Sequence, residues 1–189
     1  MPRMLKLHVI VASMRPGRIG LPIGNWAHER AKAHGKFDVT LIDLKEVNLP
    51  MMDEPKHPRF QQYEHAHTKA WSATIAAADA FVLVTPEYNF STAPSLKNAL
   101  DYVYKEWNYK PAAFVSYGGI SGGMRGVEMT KQTLCALKMV PLVEAVTLPF
   151  AMKQVADGTF SATDDNTKAA NAMFDELHRY AQALKPMRA

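Results

Sequence analysis

Apolar positions cluster in five short runs: Leu5 to Ala12, Phe37 to Leu44, Ala80 to Thr85, Ala112 to Tyr117 and Leu142 to Leu148. Several are apolar almost throughout instead of alternating, which is the pattern of strands buried on both faces of a parallel sheet. Between the runs the apolar period lengthens to that of a helix. Ile23, Trp26, Ala27 and Ala31 share one helix face, and Phe60, Tyr63, His67, Ala70, Trp71 and Ile75 mark a second. A shorter helix is predicted from Pro94, a residue suited to a first turn. Another is predicted from Gly123 to Lys138. The last runs from Asp164 to Leu184, with Thr163 as its N-cap and Asp164 and Asp165 at its positive end. Strand and helix alternate five times, so residues 1–189 are expected to form one doubly wound α/β domain. The longest irregular stretch, Asn48 to Pro58, holds three prolines and Met51 and Met52, which suit either a lid or simple packing.

In a sheet of this kind ligands bind beyond the carboxyl ends of the strands, so the chemistry is sought in the connecting loops. After the first run comes Ser13-Met14-Arg15-Pro16-Gly17-Arg18-Ile19-Gly20, leading into a helix. Helix-start amides, the Ser13 hydroxyl and the guanidinium groups of Arg15 and Arg18 together suit a phosphate. The loop is neither a Gly-x-Gly-x-x-Gly fingerprint nor a Walker A loop, and taken alone it also fits an ordinary turn with solvated arginines. After the third run comes Pro86-Glu87-Tyr88-Asn89, followed by Leu96-Lys97-Asn98-Ala99-Leu100-Asp101. An aromatic ring and an amide there would serve a planar heterocycle. After the fourth run comes Tyr117-Gly118-Gly119-Ile120-Ser121-Gly122-Gly123-Met124-Arg125-Gly126, whose glycines would let backbone approach a flat ligand.

These three loops, in this order, resemble the NAD(P)H-dependent FMN reductase family, which includes quinone, azo-dye and chromate reductases. The resemblance spans about residues 5 to 150 and is most specific over Pro86–Asn89 and Leu96–Asp101. It implies a flavodoxin-like sandwich with a five-stranded parallel sheet in the order 2-1-3-4-5. It implies FMN as cofactor and NADPH or NADH as electron donor, with hydride passing through flavin N5 and no dedicated acid–base residue. Ser13 and Arg15 match phosphate-holding positions, with Ile19 and Gly20 at the following helix start. Arg18 stands where members often carry Ser, leaving phosphate, solvent or a nicotinamide phosphate as its partner. Pro86, Glu87, Tyr88 and Asn89 match the loop around the ribityl chain and ring, and Tyr117, Gly118 and Gly119 the loop along the ring. Arg125 matches an arginine near the active-site mouth and subunit boundary. A homodimer or homotetramer acting on a small-molecule acceptor is implied.

Composition and the remaining residues narrow the alternatives. The net charge is +4, and no basic run resembles a nucleic-acid arm. That charge also argues against an acidic, flavodoxin-type electron carrier, the main competing function. A phospho-acceptor module would need acidic residues where Ala12-Ser13-Met14-Arg15 stand, and a flavin-free nucleotide enzyme is allowed only by the first loop. The single cysteine, Cys135, has apolar neighbours and is expected in the core, in a reducing compartment. His65 and His67, two apart, are not expected to share a helix face, and no metal is assigned. Asp43, ending the second run, is expected as a turn or cap residue. Tyr102, Tyr104, Trp107 and Tyr109 suit either core packing or an acceptor pocket and interface, with Tyr102 taken for the latter. No apolar run reaches ~20 residues and the first eight residues lack a signal-peptide pattern, so a cytoplasmic protein free of membrane is expected.

Overall fold

The computed structural model describes residues 4–188. The first three residues, part of the segment read against a signal peptide, lie outside it. In chain order the elements are β1 (Leu5–Val11), α1 (Gly20–His34), β2 (Phe37–Asp43), α2 (Leu44–Val47), α3 (Ala66–Ala77), β3 (Ala80–Tyr88), β4 (Ser91–Thr92), α4 (Pro94–Asp101), β5 (Pro111–Gly118), α5 (Met124–Ala136), β6 (Val140–Pro149), β7 (Val155–Ala156), β8 (Thr159–Phe160) and α6 (Asp164–Leu184).

Five strands pair in parallel in the order β2-β1-β3-β5-β6, which is the expected flavodoxin-like order of the five long strands. β4 adds a short antiparallel hairpin to the end of β3. Consecutive strand residues point to opposite faces, and two cores result. Val9, Val82 and Val115 meet Ile23 and Ala27 of α1 and Phe174 and Leu177 of α6 on one face. Ile10, Leu83 and Phe114 meet Trp71 and Ile75 of α3, Leu96 and Leu100 of α4 and Leu134 of α5 on the other. Each fully buried Val, Leu, Ile or Phe side chain among these contributes roughly 1.5–3 kcal/mol. The indole N–H groups of Trp71 and Trp107 are satisfied by the carbonyls of Ala99 (2.8 Å) and Leu100 (3.1 Å), so the rings are buried without leaving a polar group unpaired.

Helix starts follow the sequence signals. Pro94 opens α4, and Thr163 caps α6 in a reciprocal box with Asn166. Two expectations are corrected. The helix expected to include Phe60 and Tyr63 begins at Ala66; Pro58–Phe60 is a separate 3-10 turn, ended by Gln61 in a left-handed conformation. Tyr63 instead hydrogen-bonds the Glu106 carboxylate at 3.0 Å. Cys135 is exposed on α5, because Leu134 and Leu137 beside it take the inward positions.

Candidate functional site at the carboxyl edge of the sheet

β1, β3 and β5 end side by side, so the three loops converge. Ala12 stays in register through its N–H to the Val84 carbonyl (2.9 Å). Ser13 follows, 1% exposed, with its Oγ 3.0 Å from the Tyr88 hydroxyl. Ser13, Arg15, Arg18, Ile19, Pro86, Glu87, Tyr88, Tyr117 and Gly118 line one cavity of about 270 Å³, together with Pro16, Gly17 and Met152. Gly20, Asn89 and Gly119, also expected at the site, are not part of that lining. Asn89 is instead the first of two left-handed residues, Asn89 and Phe90, that turn β3 into β4.

The start of α1 is built to receive an anion. No side chain caps it, so its first amides lack intrahelical partners and carry the positive end of the helix dipole. The Tyr117 hydroxyl is buried beside it with no hydrogen-bond partner. Burial pushes its pKa up, so the group stays protonated and can donate. Gly20 leaves that hydroxyl its space: a Cβ there would come within 2.3 Å of Tyr117 Oη. Ser13, Tyr117 and the helix start thus fit a phosphate monoester, with the exposed Arg15 at the rim.

Arg18 is occupied elsewhere. Its guanidinium makes two parallel contacts to the Asp43 carboxylate, one of them Nη1 to Oδ1 at 2.6 Å, and donates to the Ser13 carbonyl at 2.5 Å. Asp43 is also the expected cap, accepting from the Lys45 amide at 3.0 Å. The Arg18 pairing went unforeseen, since no local pattern links positions 25 residues apart.

Glu87 is likewise committed within the protein. Its carboxylate accepts from Ser121 Oγ (2.7 Å), the Arg125 amide (3.1 Å) and Arg125 Nε (2.7 Å). Burial works to raise this carboxyl, but Arg125 and Ser121 outweigh it and hold it below the ordinary 4.5. The Arg125 guanidinium also lies 3.8 Å over the Phe90 ring, so Arg125 bridges the hairpin turn and the glycine loop. The glycines serve packing more than ligand approach. Gly123 is left-handed (φ 90°), and a Cβ there would meet the Tyr117 amide nitrogen at 2.8 Å. Gly119 alone in that loop faces open space.

Tyr102 is not brought to the cavity. It is fully buried, and its hydroxyl donates to the Pro50 carbonyl at 3.0 Å and to Asp53 Oδ1 at 3.1 Å. Asn98 holds the same loop, donating to the Pro50 carbonyl (2.7 Å) and accepting from the Met52 amide (2.9 Å). Trp107 is fully buried against Phe81 and Trp71, so core packing accounts for it. His65 and His67 do stack, with ring centroids 5.1 Å apart, because His65 is the extended residue before α3 and not part of it. Among the described residues no group of three or more His, Cys, Asp or Glu side chains is placed to hold a metal ion. Met152 was missed. It follows β6, the strand beside β5, and the amide of Phe150 ties that segment to the Gly119 carbonyl (3.0 Å); a loop at the carboxyl end of the neighbouring strand was the available signal.

The sequence profile of the NADPH-dependent FMN reductase family matches residues 5–153. An NAD(P)H-dependent FMN reductase of Schizosaccharomyces pombe is 44% identical over 184 residues, covering 95% of this chain and 90% of the relative. An NADPH azoreductase of a Bacillus species is 27% identical, covering 81% and 83%. The solved structure of FerB, a flavoenzyme NAD(P)H:(acceptor) oxidoreductase from Paracoccus denitrificans, superposes with a TM-score of 0.74 at 20% identity, covering 95% and 98%, and supports the fold. With the profile spanning most of the domain and the fission-yeast relative nearly all of it, the chain belongs to the NADPH-dependent FMN reductase family and is a flavin-type NAD(P)H oxidoreductase of its quinone and azo reductase kind.

Proposed function

We propose that the chain holds FMN at the carboxyl edge of the sheet and reduces a small acceptor at the expense of NAD(P)H. The observation that carries this reading is the unpaired, buried Tyr117 hydroxyl beside the uncapped start of α1, in one cavity with Ser13 and Arg15. Bound there, FMN would supply the two-electron chemistry, taking hydride from the nicotinamide and returning electrons to the acceptor.

The protein's part is binding and orientation. Ser13, Tyr117 and the α1 amides would donate to the phosphate, and Arg15 would add a mobile positive charge. A cavity of about 270 Å³ is small for a whole cofactor, since ligand sites usually run from roughly 300 Å³ upward. It would therefore take the phosphate and chain, with the ring lying over Pro86–Tyr88 and the Gly118–Gly119 backbone. Glu87 would act indirectly, by fixing the Ser121–Arg125 segment at the ring's edge. No side chain is needed as general acid or base. Arg125, 45% exposed, and Arg15 favour NADPH over NADH by offering donors to a second phosphate. Phe90, Ile120, Met124, Phe150 and Met152 are exposed apolar side chains on these same loops, which supports a homodimer or homotetramer closing the site. Quinones, azo compounds, free flavin or metal oxyanions are the acceptor classes. A cytoplasmic location is part of this proposal and rests on the single cysteine, which suits a reducing compartment. Among the described residues no helix is long and apolar enough to cross a membrane.

The test is anaerobic. FMN is added to the purified chain, unbound flavin is removed, and NADPH or NADH is mixed in while flavin absorption is followed. Retained flavin that bleaches rapidly, faster with NADPH, supports the proposal. Retained flavin that neither nucleotide bleaches points to an electron carrier. No retained flavin overturns the bound-cofactor reading and leaves flavin as a cycling substrate or a different phosphorylated ligand.

A further inference from the structure

Arg18 looks like a phosphate ligand by position, yet its bonding argues otherwise. The side chain is 8% exposed and its partner Asp43 11% exposed. Three of its five N–H groups are engaged, two on the Asp43 carboxylate and one on the Ser13 carbonyl. A guanidinium held bidentately by a buried carboxylate has its charge neutralised where it stands. Removing it to grip a phosphate would strand the Asp43 charge in a poorly solvated place, which is strongly unfavourable. Arg15, in contrast, is exposed.

We infer that Arg18 and Asp43 form a clamp that positions the phosphate loop and that Arg18 is not itself a phosphate ligand; this rests on the FMN reading given above. The clamp joins Asp43, the last residue of β2, to Ser13, two residues past the end of β1. Fixing the Ser13 carbonyl toward Arg18 fixes the plane of the Ser13–Met14 peptide, so the Met14 N–H is turned to the opposite side. The same residue's hydroxyl is on Tyr88. Both polar ends of Ser13 are thereby oriented before any ligand arrives. Preorganisation of this kind raises affinity by lowering the ordering cost of binding. Phosphate recognition then falls to the amides, the Ser13 and Tyr117 hydroxyls and Arg15.

Asp43→Asn is the decisive variant. Asn keeps an acceptor for the Lys45 amide and caps helices as well as Asp, so α2 is retained while the charge opposite Arg18 is lost. Dissociation constants for FMN and for riboflavin, which lacks the phosphate, are measured by flavin fluorescence on the unsubstituted chain, Asp43→Asn, Arg18→Met and the double variant. Amide hydrogen exchange over residues 13–20 is followed in the flavin-free protein. The clamp predicts that both single variants bind FMN more weakly, on the order of ten- to a hundredfold by analogy with the loss of an outer-shell partner of a metal ligand. The double variant should be no worse than the weaker single one, and exchange in the flavin-free loop should rise in all three. Arg18→Lys should not restore binding, since one ammonium cannot span both carboxylate oxygens and the carbonyl.

The inference is overturned if Asp43→Asn binds FMN more tightly, with riboflavin unchanged, while Arg18→Met loses FMN. That pattern would mean that a freed guanidinium reaches the phosphate. Unchanged loop exchange in Asp43→Asn also overturns it, and needs no flavin. Should Arg18→Met fail to fold, Asp43→Asn alone still decides by the sign of its effect. Failure of the unsubstituted chain to bind FMN is a separate result, seen before any variant is made; it would fell the FMN reading, with the exchange arm still deciding whether the clamp orders the loop.

Discussion

The hydroxyl of Tyr117 occupies the space that a side chain on Gly20 would need: an ideal Cβ at Gly20 would sit 2.3 Å from Tyr117 Oη and 3.2 Å from Cζ. The first residue of α1 and the last part of β5 are thus fitted to one another. Gly20→Ala is expected to push the Tyr117 ring out of place, at a cost of about 1–3 kcal/mol for overpacking. Flavin binding should weaken by tenfold or more, because the buried hydroxyl moves with the ring. Tyr117→Phe, which removes that donor outright, should weaken flavin binding to a similar extent, and the double variant should recover part of the stability lost by Gly20→Ala. Melting temperatures and flavin titrations of the three variants check this. A Gly20→Ala protein with unchanged melting and binding would show that the ring has free room to shift.

Glu87 should matter to stability through the glycine loop. It is the shared acceptor for Ser121, the Arg125 amide and the Arg125 guanidinium. Glu87→Gln keeps the shape but loses the charge, and replaces one acceptor oxygen by a donor facing donors. A loss of about 1–3 kcal/mol is expected, less than for a fully buried pair because Arg125 is partly solvated. The pH dependence follows from the direction of the shift. The folded carboxyl is held below the ordinary 4.5, so its stabilisation is present above 4.5 and disappears as pH falls through the lower folded value. Urea unfolding across that range should show a steeper acid loss in the unsubstituted chain than in Glu87→Gln.

The alternation of strands and helices was legible because it repeats: each buried strand is a local apolar run, and Thr163 announces α6 within four residues. The three loops were legible because ligand sites in such sheets lie at predictable strand ends. What was not legible depends on pairs distant in sequence. Nothing near Arg18 announces Asp43, and nothing near Glu87 announces Arg125. The same limit misplaced Phe60 and Tyr63. Their spacing continues the period of α3, but Tyr63 is drawn to Glu106, 43 residues away, and the chain turns at Gln61. Cys135 is the reverse case: its sequence neighbours are apolar, but adjacent residues on a helix point about 100° apart, so Leu134 and Leu137 face the core while Cys135 faces outward.

His8, in the middle of β1, supplies a second pH-dependent term. It is 5% exposed, packs edge-on to Phe81 and has no partner for Nδ1. Burial foremost, then the nearby Lys110 and Lys6 charges, lower its pKa from 6.5 to about 4. The folded state therefore resists protonation where the unfolded chain accepts it. Stability is unaffected above 6.5, falls as pH drops from 6.5 to about 4, and has lost the whole contribution below that. Replacing His8 by Gln, which cannot titrate, should flatten the stability curve between those two values. An unchanged slope in denaturant titrations at pH 4.5, 5.5 and 6.5 would place the titrating group elsewhere.

Asn98 belongs to the Leu-Lys-Asn-Ala-Leu-Asp run that carried the family resemblance, yet its side chain faces the Pro50–Met52 loop and not the cavity. Both its amide atoms are used there, so it works as a strut from α4. Asn98→Ala removes two hydrogen bonds and leaves the Met52 amide and the Pro50 carbonyl to find water. Tyr102 continues to hold Pro50, so the loop is loosened and not released. A destabilisation of about 1–3 kcal/mol is expected from the unpaired groups, with faster proteolysis and faster amide exchange confined to residues 49–53. Affinity for FMN should change by less than about threefold, because neither Asn98 nor this loop reaches the phosphate-binding surface. Exposed Met51 sits at the tip of the loop, so a change in the Michaelis constant for a bulky quinone, with FMN binding intact, would assign the loop to the acceptor. A large loss of FMN binding would instead show that α4 transmits its position to the Ser95–Ala12 contact and through it to the phosphate loop.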